Sequence, residues 1–193
     1  MNLPFLIVVL LGSILLSCSK GEEDKKSEGT LITQTFFSLQ MEFDATRIVL
    51  ERHPNSSSLH NQMAILYLEK GMERSFMKEI QKAVEGEPEN PINYFLLSVY
   101  YKEKGMIDKA IEECKKVIEK DTFNPSAYYL LGGLYERKGM LKDSLSAYQK
   151  AKKYLPKEEI TYYDSFGGAY GLNFRFILDE DIKRVKEKLN KSN

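Results

Sequence analysis

The chain has 193 residues, 42% of them apolar, with 28 basic and 28 acidic side chains. That apolar content supports a packed core and excludes wholesale disorder, and zero formal charge argues against a protein built to grip nucleic acid. Cys18, Cys114, His53 and His60 are too few and too scattered for a disulfide framework or a structural zinc site.

Residues 1–17 carry no charged side chain, and residues 3–16, LPFLIVVLLGSILL, are almost wholly apolar. A membrane span needs about 20 apolar residues. A secretory signal needs roughly 7–15, so length favours an export signal over residues 1–17. The stretch LLSC at residues 15–18 resembles the lipobox of bacterial lipoproteins. The resemblance implies cleavage before Cys18, a diacylglyceryl group on its thiol and an acyl chain on the new amino terminus. At about 0.8 kcal/mol per buried CH₂, three chains make a stable membrane anchor. Ser19 stands where enterobacterial lipoproteins retained at the inner membrane carry aspartate, so the resemblance implies the outer membrane of a bacterial envelope. An uncleaved anchor with a chance cysteine is the alternative.

Residues 20–30, KGEEDKKSEGT, hold no large apolar side chain. They read as a flexible spacer, which makes 18–30 a lipidated tether. Residues 31–56 follow with Phe36, Leu39, Phe43, Ile48 and Leu50, then Pro54. This pattern predicts a capping helix or half-repeat.

The tetrapeptides EKGM at 69–72, EKGM at 103–106 and RKGM at 137–140 place glycines at 71, 105 and 139, a spacing of 34. A fixed period of this size marks a repeat architecture. Tyr94, Leu97 and Tyr101 stripe one helix face, and Ile107, Ala110, Ile111, Cys114, Val117 and Ile118 stripe another. Glycine between them suits a helix end and tight turn, and Pro88, Pro91, Pro125 and Pro156 fall between units. One hairpin cannot bury both its faces, so neighbours must stack.

The pattern resembles the tetratricopeptide repeat, with units at 57–90, 91–124 and 125–158. The third unit carries the resemblance best through Tyr128, Leu131, Gly132, Tyr135, Gly139, Tyr148, Ala151 and Pro156. In the first, His60 takes an aromatic place, and Phe76 stands where alanine lets helices cross closely, which predicts a splayed or shifted unit. Residues 162–170, YYDSFGGAY, echo YYLLGGLY at 128–135. With an amphipathic helix at 179–190 capped by Asp179, residues 159–193 read as a degenerate fourth repeat or C-terminal cap. The fold class implied is all-α, a right-handed helical-hairpin solenoid.

No phosphate-cradling loop and no catalytic constellation are present. Cys114 lies within an apolar stripe and reads as a small core residue. No enzyme activity is expected, no metal, and no cofactor other than the lipid on Cys18. At 100° per residue, certain places on each first helix point away from the core stripe. They hold Asn61, Ile65 and Leu68, then Ile92, Phe95, Val99 and Lys102, then Tyr129 and Glu136. A solvated face would not collect so many apolar side chains. These nine residues are the candidate protein-binding groove, and packing against neighbouring helices is the alternative. The lysine and asparagine set with which some family members clamp a terminal carboxylate is missing. The resemblance implies a scaffold or adaptor for an extended peptide or another envelope protein, in assembly of outer-membrane, pilus or secretion components. A solute- or glycan-binding lipoprotein and a surface-displayed host-interaction protein are the alternatives.

Overall fold

In a computed structural model, the structure describes residues 22–155, 162–163, 169–170 and 172–191. The chain divides into two compact units, residues 1–54 and 55–193. In the first, a single helix α1 runs Glu22–Arg52. Residues 22–30, expected as a flexible tether, therefore begin this helix. The export signal and Cys18 lie outside the described residues.

The second unit is built from hairpins. Their helices are α2 (Ser57–Glu69) with α3 (Glu73–Gly86), α4 (Pro91–Glu103) with α5 (Ile107–Lys120), and α6 (Pro125–Arg137) with α7 (Leu141–Tyr154). A two-stranded antiparallel ribbon, β1 (Tyr162–Tyr163) with β2 (Ala169–Tyr170), pairs Tyr162 with Tyr170. Helix α8 (Leu172–Lys191) ends the array.

The recurring tetrapeptide is a helix stop. Gly71, Gly105 and Gly139 take φ of 68°, 71° and 77°, which side-chain-bearing residues rarely adopt. At each stop the glycine N–H donates to the carbonyl of the helix's penultimate residue, Leu68, Lys102 or Glu136. The methionine N–H that follows reaches the carbonyl of Tyr67, Tyr101 or Tyr135 at 2.8–2.9 Å. This pair of bonds is the Schellman motif, which satisfies the orphan carbonyls of a helix end. Helix starts are set by Ser56, Asn90 and Asn124, whose side chains accept from backbone N–H groups, with Pro91 and Pro125 in the first turn.

Side-chain volume is traded between the helices of each hairpin. Ala64 faces Phe76 and Ile80 in the first, and all three are buried. In the second, Ser98 donates to the Ala110 carbonyl at 2.8 Å. In the third, Gly132 leaves space for the Tyr148 ring, which a Cβ would meet at 2.6 Å. Phe76 thus fits within its own hairpin, whose turn matches the others. The expected splaying falls instead at the next seam. Phe76 stacks on Tyr100 of α4 at 4.8 Å, and α3 packs more sparsely on α4 than α5 does on α6.

Two sequence expectations are corrected. The segment 162–170, which echoes a first helix, holds the β1–β2 pairing instead. Asp179 does not cap a helix start, because α8 begins at Leu172; Asp179 sits within it and pairs with Lys152 of α7. Leu178, Ile182 and Val185 of α8 are buried against Tyr128, Tyr148, Ala151 and Leu155. The helix occupies the place a further repeat would take, which covers the last hairpin.

Candidate protein-binding site

The nine sequence-predicted residues do not form one open groove. Ile65 on α2 is exposed at 39%. Leu68, and Ile92, Phe95, Val99 and Lys102 on the neighbouring α4, are half-buried. Leu68 packs on the Ala64–Phe76–Ile80 cluster, and Phe95 on the core cluster around Ala110. Lys102 pairs with Glu103 at 3.1 Å, and its carbonyl accepts from Arg137 at 3.3 Å. These six residues form the open part of the face.

Asn61 is corrected. It is only 4% exposed, and its Nδ2 donates to Asn93 Oδ1 at 2.8 Å. Asn93 in turn donates to the carbonyls of Ala83 and Glu87 at 3.1 and 2.8 Å. Ser57 Oγ donates to the same Ala83 carbonyl at 3.0 Å. Asn61 therefore belongs to a buried polar joint that ties the α3 C-terminus to α4. Its Nδ2 is thereby spent on the joint between neighbouring elements, and its Oδ1 is buried without a partner among the described residues.

Tyr129 and Glu136 are engaged by α8. The Tyr129 ring meets Phe174 edge-on at 5.0 Å and tilts against Tyr148 at 5.6 Å. Burial, then the nearby Asp181 carboxylate, raises the Tyr129 pKa. Glu136 accepts from Arg184 through Nε at 3.0 Å and Nη2 at 2.8 Å, and from Lys188 at 2.8 Å. The Arg184 guanidinium, helped by Lys188, holds the Glu136 carboxyl down at about 2. A bidentate arginine–carboxylate pair is directional as well as strong, so α8 is held in one orientation on α6.

Cys114 is fully buried, and its thiol donates to the Ala127 carbonyl at 3.1 Å. Burial pushes its pKa up to about 12, so no thiolate is available at neutral pH. His60, expected to pack as an aromatic, is buried but bonded: its Nδ1 lies 2.6 Å from Glu79 Oε2. Among the described residues no group of His, Cys, Asp and Glu could hold a metal ion. No helix among the described residues is long and apolar enough to cross a membrane.

A second concavity, missed by sequence reasoning, lies at the loosened α3–α4 seam. It has a volume of about 680 Å³ and is floored by Met77, Ile80, Val84, Leu97 and Tyr101.

Residues 93–121 and 125–157 match the family model of the tetratricopeptide repeat. Two of the hairpins are therefore tetratricopeptide repeats, and the array of hairpins is an all-α, tetratricopeptide-like helical solenoid. Arrays of this class are in general protein-interaction modules rather than catalysts. No curated protein matches the chain.

Among solved structures, the fold is similar to a thermophilic tetratricopeptide-repeat protein of Thermus thermophilus. The TM-score is 0.61 at 17% identity, covering 77% of this chain and 75% of that one. It is similar to MamA, with a TM-score of 0.55 at 23% identity, covering 91% and 98%. It is also similar to the first tetratricopeptide domain of Spaghetti (RPAP3) bound to the HSP90 peptide SRMEEVD. There the TM-score is 0.56 at 13% identity, covering 69% and 93%.

Proposed function

We propose that this protein is a scaffold that holds a segment of a partner protein against the α2–α4 face. One observation carries the reading: Ile65, Leu68, Ile92, Phe95 and Val99 fall on one side of the successive first helices α2 and α4, with Ile65 and Val99 at the same repeat place, and all five remain partly open. Apolar side chains left accessible in this way usually mark an interaction surface. A relative in fold was solved with a bound peptide, which supports a peptide or protein partner here. The face offers no carboxylate-clamping set, so recognition rests on apolar contact. The partner we infer is another envelope protein, and the scaffold is tethered to a bacterial membrane by lipid on Cys18.

A crosslinking pull-down from detergent-solubilised native membranes tests the face. It compares wild type with Ile65→Arg/Ile92→Arg, after both are shown to melt alike. These positions are preferred because Phe95 packs on the core and Tyr129 on α8, so changes there would also perturb folding. One envelope protein enriched by wild type and lost in the variant is the expected result. Equal recovery by both would refute the reading. The tether is tested separately: Cys18→Ala should move the chain from the membrane pellet to the soluble fraction, and an unchanged pellet would reject lipid anchoring.

A further inference from the structure

The groove at the α3–α4 seam has a chemical polarity that the α2–α4 face lacks. Its floor is apolar, with Ile80 buried and Met77, Val84, Leu97 and Tyr101 half-buried. One end is basic. Arg74 and Lys78 line it, with no acidic partner among the described residues, and Lys109 stands over the Tyr101 ring at 5.5 Å. Three other lysines of the array pair between neighbouring hairpins: Lys104 with Glu73, Lys120 with Glu89 and Lys138 with Asp108. Three cations with no acidic partner among the described residues therefore border one apolar recess. The far end carries Glu85, which accepts from Gln81 at 2.9 Å.

We propose that this groove binds an acidic amphipathic peptide segment of a partner, its apolar side chains on the floor and its carboxylates at the Arg74–Lys78 end. Charge complementarity selects the occupant: a basic segment would add like charge to the cations already there, and opposite charge across an interface sets orientation and speeds encounter. An anionic lipid surface fits less well. The recess lies between two helices, whereas a bilayer presents a flat sheet of like charge. The floor shares no residue with the α2–α4 face, so the two sites stand or fall independently.

The test is selection of a random library of 14-residue displayed peptides on the full chain, followed by anisotropy titration of the enriched peptides. Enriched sequences are expected to carry Asp or Glu ahead of apolar residues at three- and four-residue spacing. Their affinity should fall at least tenfold in Arg74→Glu/Lys78→Glu and stay within twofold in Ile65→Arg, with unaltered melting in both. Enrichment without acidic bias, indifference to the charge reversal, loss in Ile65→Arg instead, or no enrichment would each overturn the proposal. So would phosphatidylglycerol vesicles, rather than peptides, being what wild type binds and Arg74→Glu/Lys78→Glu loses.

Discussion

His60 Nδ1 lies 2.6 Å from Glu79 Oε2, and both side chains are buried inside the first hairpin. Lys82 donates to the other carboxylate oxygen at 3.1 Å. The pair links α2 to α3 where the repeat pattern places an aromatic. Removing one partner of a buried polar pair strands the other, whereas replacing both by apolar groups can be nearly neutral. His60→Phe and Glu79→Leu are each expected to cost about 2–3 kcal/mol, and the double variant less than about 1 kcal/mol. Urea unfolding of the four proteins checks this. Additive losses would show that the two residues act separately.

Gly132 meets the face of Tyr148 so closely that a Cβ would lie 2.6 Å from the ring. Alanine in a helix interior is normally favoured over glycine by about 0.8–1 kcal/mol. Overpacking opposes this with roughly 1–3 kcal/mol and should win, because the ring is wedged between α6, α7 and α8. Gly132→Ala is expected to lower the melting temperature, and Gly132→Ala/Tyr148→Leu to recover part of the loss. A Gly132→Ala protein as stable as wild type would show that the ring moves freely.

Glu136 anchors α8 through Arg184 and Lys188, and its carboxyl is depressed from 4.5 to about 2. The sign follows from linkage: the unfolded chain binds the proton more tightly. The stabilisation is therefore present above about pH 4.5 and is lost as pH falls towards 2. Glu136→Gln should cost on the order of 1–2 kcal/mol at pH 7, given the partial exposure of the two cations. It should also flatten the acid limb of a stability–pH curve. The same steepness between pH 4.5 and 2 in both proteins would place the acid sensitivity elsewhere.

Cys114, with its pKa raised to about 12 by burial, should resist iodoacetamide at pH 8 in the folded protein. It should be modified fully in 6 M urea, as read by mass spectrometry of the Cys114 peptide. Rapid labelling without denaturant would mean that the α5–α6 seam opens readily.

Much of the architecture was legible in local signals. The 34-residue glycine spacing, the Asn–Pro helix starts and the apolar stripes predicted helical hairpins, because helix caps and stops are made by neighbours in the chain. Residues 22–30 misled, since a run of charged residues reads alike whether it is helical or a tether. Asp179 misled because α8 starts at Leu172, seven residues earlier than its charge pattern suggested.

The site was harder to read. Helical geometry placed Ile65, Leu68, Ile92, Phe95 and Val99 on one side of successive first helices, as a 100° periodicity allows. It could not separate Asn61 from them, because the hydrogen-bond partner that holds the buried Asn61, Asn93, lies 32 residues away. Nor could it show that α8 covers Tyr129 and Glu136, since Arg184 lies 48 residues beyond Glu136. What the amino-acid order determined by itself was therefore the repeat, its turns and its packing stripes, all set within one or two helical turns. Which apolar residues stay open, and the groove between α3 and α4, were decided by tertiary structure. Exposure depends on which distant helix comes to rest on a face, and that depends on how side-chain volumes mesh across the seams.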